Sequence, residues 1–430
     1  MSRKLIKQTC AQWRSNIWLI IEMMIVATAV WYLTDMVFLQ YGQRNLPNGY
    51  HIENVAVANP TEISGGPLYR EAPEGSTKTE YQYSGLQSIL NHLRNLPMVA
   101  AVGHGTTPMP YNYNFMGNSL RELDRGDSLF ITGNMRIITP EMVDILMLDP
   151  IDGRSRADIR KALERGELII ERGAVNLSGN KEALNNVPAT DLVGQGFFFG
   201  GDSARVFKIG GVVENTRRND YEPAYRSEFF IPVMPYDSVI PGDIAVKVRP
   251  GQMGEFLDYF SSHRSEFQAG NISLAKFVTA DALREANQRE IREVQRNLLV
   301  ILSFLLISIF LGILGTFWFR TQERTSEIAV RKVNGARNAD ILRRLMGEGI
   351  LLLSVGVVLS IGLDWLLVHF ELGEFSDYRS TFIPGYGVWQ AYPWTLGITF
   401  VIMCCMVILG TWYPAWRAMS IDPAQALQDE

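Results

Sequence analysis

The stretch RTQERTSEIAVRKVNGARNADILRRLMGEG, residues 320–349, lies between two long apolar segments and decides how the chain is organised. It predicts a short charged helix, a break at Gly335 and Ala336, and a second helix that runs into the next apolar segment. A loop rich in Lys and Arg between two membrane spans lies on the cytoplasmic face of the membrane. The segment therefore sets the orientation of the chain and predicts a surface that a soluble partner can reach.

Hydropathy divides the chain more clearly than composition does. With 47% hydrophobic residues over 430 positions, the average would suit a soluble globular protein. The apolar residues are concentrated, however, in windows of about 20 residues, the length that crosses a bilayer core. These windows are residues 17–40, 298–319, 350–370 and 394–413. We therefore predict a polytopic α-helical membrane protein with four transmembrane helices.

The long interval between the first two spans predicts a folded domain outside the membrane. Residues 41–279 are numerous enough to bury a core of their own. Strand-helix-strand patterns near its two ends predict an α+β domain, a strand-helix sandwich with an inserted subdomain at about 119–225. A proline-free helix then forms a stalk, residues 280–297, that continues into the second span. The remaining parts are a cytoplasmic interfacial helix (1–16), the coupling loop (320–349), an outer loop (371–393) and a tail (414–430).

Charge and cysteine positions agree with that division. The tail before the first span has four basic residues and no acid, whereas residues 371–393 contain three acids and one Arg. Both termini are therefore predicted to be cytoplasmic and the large domain extracytoplasmic. Cys10, Cys404 and Cys405 fall in the N-terminal tail and the fourth span, so no disulfide framework is expected in the outer domain.

The stalk carries an apolar stripe. Its members recur every three or four residues, a spacing suited to packing against another helix. They are Leu283, Asn287, Ile291, Val294 and Leu298. Both a partner within this chain and the stalk of a second chain remain open as the helix that the stripe contacts.

The short helix of the coupling loop has one consistent face. Ile328, Ala329, Lys332 and Val333 share this face, and Glu327 and Arg331 form an i to i+4 pair. Gly335 is expected to end the helix in a left-handed conformation and Asn338 to cap the next one. A solvated surface helix would show the same pattern, so the residues alone leave its role open.

Several kinds of chemistry have no motif here. The chain has no GxxxxGK[ST] phosphate loop, no HExxH or CxxC metal pattern and no GxSxG elbow. A net charge of −5 gives no support for nucleic-acid binding. We predict no catalytic residue, no cofactor and no metal on this chain, so that any energy from ATP would have to come from a partner.

Two motifs resemble a known family. Glu327, Ile328, Lys332, Gly335, Ala336 and Glu348 match its E-I-G-x-x-[KR]-A-x-G-A segment and the later Glu, with Ala329 and Val333 in place of the usual Gly and Ala. YPAWRAMSIDPAQAL matches its terminal pattern through Pro414, Ala415, Arg417, Ala418, Pro423 and Leu427. The chain thus resembles the MacB/FtsX-like permeases of ABC transporters, the type VII or mechanotransmission class.

The resemblance implies a bacterial inner-membrane permease with a MacB-like periplasmic core domain. It implies a cytoplasmic ABC ATPase dimer, a second permease copy or paralogue, surrounding membrane lipid and, in some members, a periplasmic adaptor or outer partner. The implied work is efflux or handling of an amphiphile, peptide or lipoprotein. The ATPase-coupling residues would be Glu327, Ile328, Arg331, Lys332, Gly335, Ala336 and Glu348.

Three other functions remain open at this point. The chain could be an FtsX-like regulator of a cell-wall hydrolase, a membrane-anchored sensor without an ATPase, or an enzyme on the outer face. The size of the outer domain favours efflux-like or lipoprotein-handling members over the regulator. The basic loop speaks against the sensor, and the missing catalytic motifs speak against the enzyme.

Overall fold

A computed structural model describes residues 13–112, 114, 116–122, 126–173, 188–199, 202–221, 228–233, 241–323, 325–370 and 388–420. The chain divides into two compact units, Met1–Gln43 with Ile291–Glu430, and Arg44–Glu290. Most of the predicted interfacial helix (1–16), most of the outer loop (371–393), and Pro423 and Leu427 lie outside the described residues.

Helices dominate the first unit and are interspersed with strands in the second. The helices of the described residues are α1 (Trp13–Arg44), α2 (Lys78–Asn95), α3 (Met142–Ile145), α4 (Arg156–Glu164), α5 (Met253–Ser262), α6 (Ala280–Glu323), α7 (Thr325–Val333), α8 (Asn338–His369) and α9 (Val388–Ser420).

The strands all belong to the second unit. They are β1 (Val55–Ala58), β2 (Pro60–Glu62), β3 (Val99–Thr106), β4 (Gly117–Glu122), β5 (Gly126–Ile138), β6 (Leu168–Glu171), β7 (Gly196–Phe199), β8 (Asp202–Val213), β9 (Glu228–Pro232), β10 (Asp243–Val248), β11 (Gln268–Ala269), β12 (Ile272–Leu274) and β13 (Val278–Thr279).

Among the described residues, four helices are long and apolar enough to cross a membrane. The candidate spans are Ile17–Leu39 of α1, the whole of α6 and α8, and Ala391–Arg417 of α9. The helix predicted from Thr279 onward is present as the single 44-residue α6, about 66 Å long at 1.5 Å per residue. Together with the α+β unit, these helices confirm the predicted fold class.

The helix of the fourth candidate span continues beyond the predicted end of that span. The tail was expected to begin at Pro414, and α9 runs on to Ser420 with Pro393 and Pro414 inside it. The boundary between span and tail stays a prediction. Proline is tolerated within membrane helices because neighbouring helices and local adjustments satisfy the backbone carbonyl that loses its donor.

Close packing holds the helices of the first unit together. Their core contains Leu19, Met23 and Ala27 of α1, with further apolar residues from α6, α8 and α9. A Cβ added at Gly349 of α8 would lie 2.7 Å from Val407 Cγ1 and 3.0 Å from Phe317 Cζ. Small residues permit this kind of approach between membrane helices.

The second unit is built on a ten-stranded sheet in the order β13-β1-β10-β3-β5-β4-β7-β8-β6-β9. An additional parallel pairing of β5 with β9 closes the last six strands into a ring. The ring contains the strands of the predicted inserted subdomain. It is joined to the rest of the sheet where Gly105 and Thr106 of β3 pair with Ile138 and Ile137 of β5.

Alternating side chains of the open part of the sheet supply two cores. Ala56 and Ala58 of β1 contribute to a core with α2 and α5, while Val55 and Val57 contribute to a core with α3 and α4. This is the two-residue period of a strand buried on both faces. A third core, which includes Leu120 and Phe197, lies among the strands of the ring.

We predict that Gly349→Val lowers the melting temperature of the full chain in detergent. The added side chain must displace Val407 or Phe317, and overpacking of this kind costs about 1–3 kcal/mol. Gly362→Val is the matched control, because a Cβ at Gly362, also in α8, meets nothing within 4 Å. Equal melting temperatures for the two variants would contradict the packing described here.

Candidate functional site

Helix α7, here called the coupling helix after its predicted role, ends as the sequence predicted. Gly335 adopts a left-handed conformation with φ 86°. The Gly335 N–H donates to Lys332 O at 2.9 Å and the Ala336 N–H donates to Arg331 O at 3.0 Å. These two bonds form a Schellman motif, which satisfies carbonyl groups that the end of the helix leaves free.

The cap of the next helix lies one residue earlier than expected. Asn338 is the first helical residue of α8, and Arg337 occupies the capping position. The Arg337 N–H donates to Asp340 Oδ2 at 3.2 Å. Asp340 therefore provides the side-chain contact that was assigned to Asn338, since a carboxylate three residues after the cap can reach back to its N–H.

A small apolar cluster holds α7 in place. Ile328 of α7 packs with Ile341 and Leu345 of α8 and with Ala415 of α9. Ile328 and Ala415 belong to the two motifs on which the family resemblance rests, and they are 87 positions apart in the sequence. The fold thus brings the two motifs into contact.

Ion pairs reinforce the same contact. Glu327 Oε1 accepts a hydrogen bond from Arg331 Nη2 at 2.6 Å, which is the predicted i to i+4 pair. The same oxygen lies 3.7 Å from Arg344 Nη2 of α8. Glu348 is buried further along α8. Glu327 therefore links the coupling helix to the helix that follows it.

The opposite side of α7 is open. Val330 is 47% exposed and Val333 is 67% exposed. Val333 was expected on the same face as Ile328 and Ala329, but only the latter two are buried, and Val333 is the last residue of α7. Lys332 is half-buried. The coupling helix thus presents two apolar side chains outward.

The described part of the terminal motif, in α9, contacts the end of α6. Pro414 and Ala415 are buried in α9, and Ala418 lies in the last turns of that helix. The Arg417 guanidinium lies over the Trp318 ring, 4.8 Å from its centroid. The Trp318 and Tyr413 rings stack with their centroids 5.7 Å apart.

The stalk stripe is partly occupied by this chain itself. Leu283 packs against a core of the second unit, and Asn287 is buried. Ile291 and Leu298 are half-buried, and Val294 is 50% exposed. Packing within the chain accounts for the beginning of the stripe, and a contact with a second stalk stays a prediction for the remainder.

A polar cluster in the first unit was not predicted from the sequence. Asp364 of α8 is fully buried, and its Oδ2 accepts a hydrogen bond from the Tyr392 hydroxyl of α9 at 2.7 Å. Trp31 Nε1 of α1 donates to the Thr395 hydroxyl at 3.0 Å. A lone acid in the third apolar window was the available signal, because ionisable residues within spans are rare.

A second acid is buried in the first unit. Asp35 lies in the candidate span Ile17–Leu39 of α1 and is buried within the described chain.

We predict that Tyr392→Phe destabilises the full chain by about 0.6–2 kcal/mol, the range for a hydrogen bond between membrane helices. The variant removes the donor to Asp364 and leaves a buried carboxyl without that bond. Tyr413→Phe is the control, since the Tyr413 side chain is 48% exposed. Thermal unfolding in detergent measures both, and a loss no larger than that of the control would count against the Asp364 contact.

The second unit holds a buried carboxyl cluster that local sequence patterns do not reveal. Arg136 forms a double contact with Glu228, with Nη2 2.6 Å from Oε1 and Nε 2.5 Å from Oε2. The Thr216 hydroxyl lies 2.8 Å from Glu228 Oε2 and is also hydrogen-bonded to Glu171 Oε1. Glu171 further accepts from the backbone N–H groups of Thr216 and Glu228.

Burial, followed by the negative charge of Glu228, raises the pKa of Glu171 well above its ordinary value. Hydrogen bonds from Thr216 and Glu228 oppose the shift without cancelling it. A carboxyl whose folded pKa is raised contributes stability that is complete below its unfolded pKa. That stability is lost as pH rises through the folded value.

We therefore predict that Glu171→Gln flattens the pH dependence of unfolding. Above the unfolded carboxyl pKa, the wild-type chain loses up to about 1.4 kcal/mol of stability per pH unit through this group. The variant lacks that contribution, whereas Glu74→Gln, at an exposed loop position, keeps it. Thermal unfolding between pH 5 and 9 provides the comparison, and parallel profiles for Glu171→Gln and wild type would refute the assignment.

No metal centre is evident in the described ranges, where no three His, Cys, Asp or Glu side chains converge on a site that could hold an ion.

The segment that contains the coupling helix matches a known family model, FtsX-like permease C-terminal, over residues 299–423. Residues 299–423 are therefore similar to the C-terminal domain of FtsX-like permeases. The match includes both sequence motifs and the cluster that joins Ile328 to Ala415. The earlier resemblance is thereby confirmed for this part of the chain.

Curated relatives agree with the family match. The chain is 30% identical over 150 residues to the macrolide export ATP-binding/permease protein MacB of Shigella sonnei, and 30% identical over 152 residues to MacB of Escherichia coli K12. Each match covers 35% of this chain and 22% of the relative. The chain thus matches about a fifth of the length of these relatives.

Two solved structures resemble the chain more distantly. The periplasmic region of MacB from Actinobacillus actinomycetemcomitans has 13% identity and a TM-score of 0.32, covering 55% of this chain and 92% of that one. The extracellular domain of YknZ, described as a noncanonic ABC-type transporter from Gram-positive bacteria, has 13% identity and a TM-score of 0.31, covering 51% and 100%.

Proposed function

We propose that this chain is the permease subunit of an ABC transporter that transmits ATP-driven motion of a separate cytoplasmic ATPase to its extracytoplasmic unit. The match of residues 299–423 to FtsX-like permeases supports the general class. The coupling role rests on one observation. Helix α7 is fixed on one side by Ile328 and Glu327, and exposes Val330 and Val333 on the other.

This arrangement suits the transfer of a force. A helix that is anchored to two candidate spans moves those spans when a partner displaces it, because packed interiors shift as units and do not deform gradually. Exposed valines provide apolar contact area for that partner. The surrounding Lys and Arg residues support a cytoplasmic position for α7 and for both termini.

The site supports a role for α7 and not a chemical step on this chain. ATP and Mg would be bound and ATP hydrolysed by the partner ATPase, since the printed sequence has no phosphate-binding loop. We further propose that the work done outside concerns a peptide, an amphiphile or a lipoprotein. The matched relatives are named as macrolide export proteins, which supports efflux-type work over hydrolase regulation.

We predict that Val333→Asp reduces the amount of ATPase that co-purifies with the chain by about tenfold or more, because a charge is placed in an apolar contact. Val206→Asp is the matched control, since Val206 is an exposed valine of β8 in the second unit. Both variants would be tagged, expressed in the native host and purified in mild detergent. Mass spectrometry would then quantify any subunit that carries a phosphate-binding loop.

Two outcomes would overturn the proposal. In one, no such ATPase accompanies the wild-type chain. In the other, Val333→Asp and Val206→Asp retain equal amounts of it.

A parallel charge reversal, Arg331→Glu with Lys332→Glu, is expected to uncouple ATP hydrolysis from the outer unit in the reconstituted complex while the chain remains folded.

A further inference from the structure

One short segment of the second unit contacts three separate parts of that unit. Residues 214–221, ENTRRNDY, follow β8 and carry Thr216, Arg217 and Asp220, all buried. The segment, here called the ENTRRNDY segment, contacts the chain where it enters the unit, the chain where it leaves the unit, and the six-stranded ring. Each of these contacts is polar and specific.

The incoming chain is held by Arg217 and Asp220. The Arg217 N–H donates to Asn48 O at 3.0 Å, and Arg217 Nη1 donates to Leu46 O at 3.1 Å and Asn48 Oδ1 at 3.2 Å. Asn48 Nδ2 donates in turn to Asp220 Oδ1 at 3.0 Å. At Gly49, with φ 73°, a Cβ would collide with Asn215 O, so the two backbones are in direct contact.

The outgoing chain is held by the same Asp220. Its Oδ2 accepts from Arg284 Nε of α6 at 2.9 Å and forms an ion pair with Arg284 Nη2. Burial would raise the pKa of Asp220, but hydrogen bonds from Arg284, Gln288 and Tyr111 outweigh it and lower the pKa. The carboxylate is therefore charged at neutral pH and binds Arg284 by a charge-assisted contact.

The ring is reached through the neighbouring Thr216. Its hydroxyl and N–H bind Glu171 of β6, and its hydroxyl also lies 2.8 Å from Glu228 of β9. Asn215 Oδ1 accepts from the Gly173 N–H at 2.7 Å, just after β6. Two ring strands are therefore attached to the segment that also binds Asn48 and Arg284.

We propose that the ENTRRNDY segment is a joint, which transmits a displacement of the incoming chain at Asn48, or of the outgoing chain at Arg284, to the six-stranded ring. The incoming residues follow α1 directly and the outgoing residues begin α6, so both connections lead to candidate membrane spans. A displacement of Asn48 or Arg284 pulls on Asp220, and Thr216 lies four residues away on the same buried segment. Asp220 and Thr216 are positioning residues for the proposed function, on which this inference rests.

The joint can be tested without the ATPase. We would measure hydrogen exchange of the full chain in lipid nanodiscs for wild type, Arg284→Gln and Asn48→Ala. Each variant removes one connection to Asp220. In both variants, the exchange rates of β6 and β9 are expected to rise about tenfold. The loss of a charge-assisted or buried hydrogen bond lowers the free energy of local opening enough to cause a rise of about that size.

Arg160→Gln is the matched control, since Arg160 forms an exposed ion pair with Asp144 in the same unit. It is expected to leave β6 and β9 unchanged. Exchange in α2 is the internal reference. Helix α2 packs in the core that contains Ala56 and Ala58, away from the ring, so its exchange should not change. A merely destabilised domain would raise exchange in α2 and the ring together.

Three results would overturn the joint. They are unchanged exchange in β6 and β9, an equal rise in α2, and an equal effect of Arg160→Gln. None of them depends on a partner, so they are distinguishable from failure of the proposed function, which is read from ATPase co-purification.

Discussion

The burial of Ile328 against Ile341, Leu345 and Ala415 is the contact on which the position of α7 depends. It joins a nine-residue helix, too short to be stable alone, to two long helices of the membrane unit. Because Ile328 faces inward, the same helical period leaves Val330 outward, and the turn at Gly335 ends the helix with Val333 uncovered. One apolar anchor thus determines which surface a partner can meet.

The second unit solves a different problem. The chain enters this unit at residues 44–48 and leaves it at residues 280–288, two points far apart in sequence, yet both are bound by one buried segment. Asp220 binds groups from both points, and Thr216 binds the ring. Buried polar groups of this kind specify one arrangement, because leaving any of them unpaired costs more than an apolar contact would.

Much of this architecture could be predicted from the sequence, for identifiable reasons. The spans follow from runs of apolar residues, α6 from a long interval without proline, and the end of α7 from a glycine at a helix boundary. The main strands, such as the one that begins near Ile244, follow from short runs of β-branched residues. Each of these signals is local, so a single pass along the chain detects it.

The parts that were missed depend on residues distant in sequence. Glu171, Thr216 and Glu228 meet only after β6, β8 and β9 have joined the ring, and no spacing announces this. Asp364 and Tyr392 are separated by a helix end and a loop. The error at Asn338 is of another kind, since Asn often caps a helix and the capping contact here comes from Asp340, two residues later.

We propose that nucleotide binding at a cytoplasmic ATPase changes the structure of the chain on the other side of the membrane. The most direct measurement is hydrogen exchange of residues 280–290 in the reconstituted permease–ATPase complex, with and without ATP under conditions that prevent hydrolysis. The account predicts a nucleotide-dependent change in these residues as well as in α7. A change confined to α7, with residues 280–290 unaffected, would contradict it.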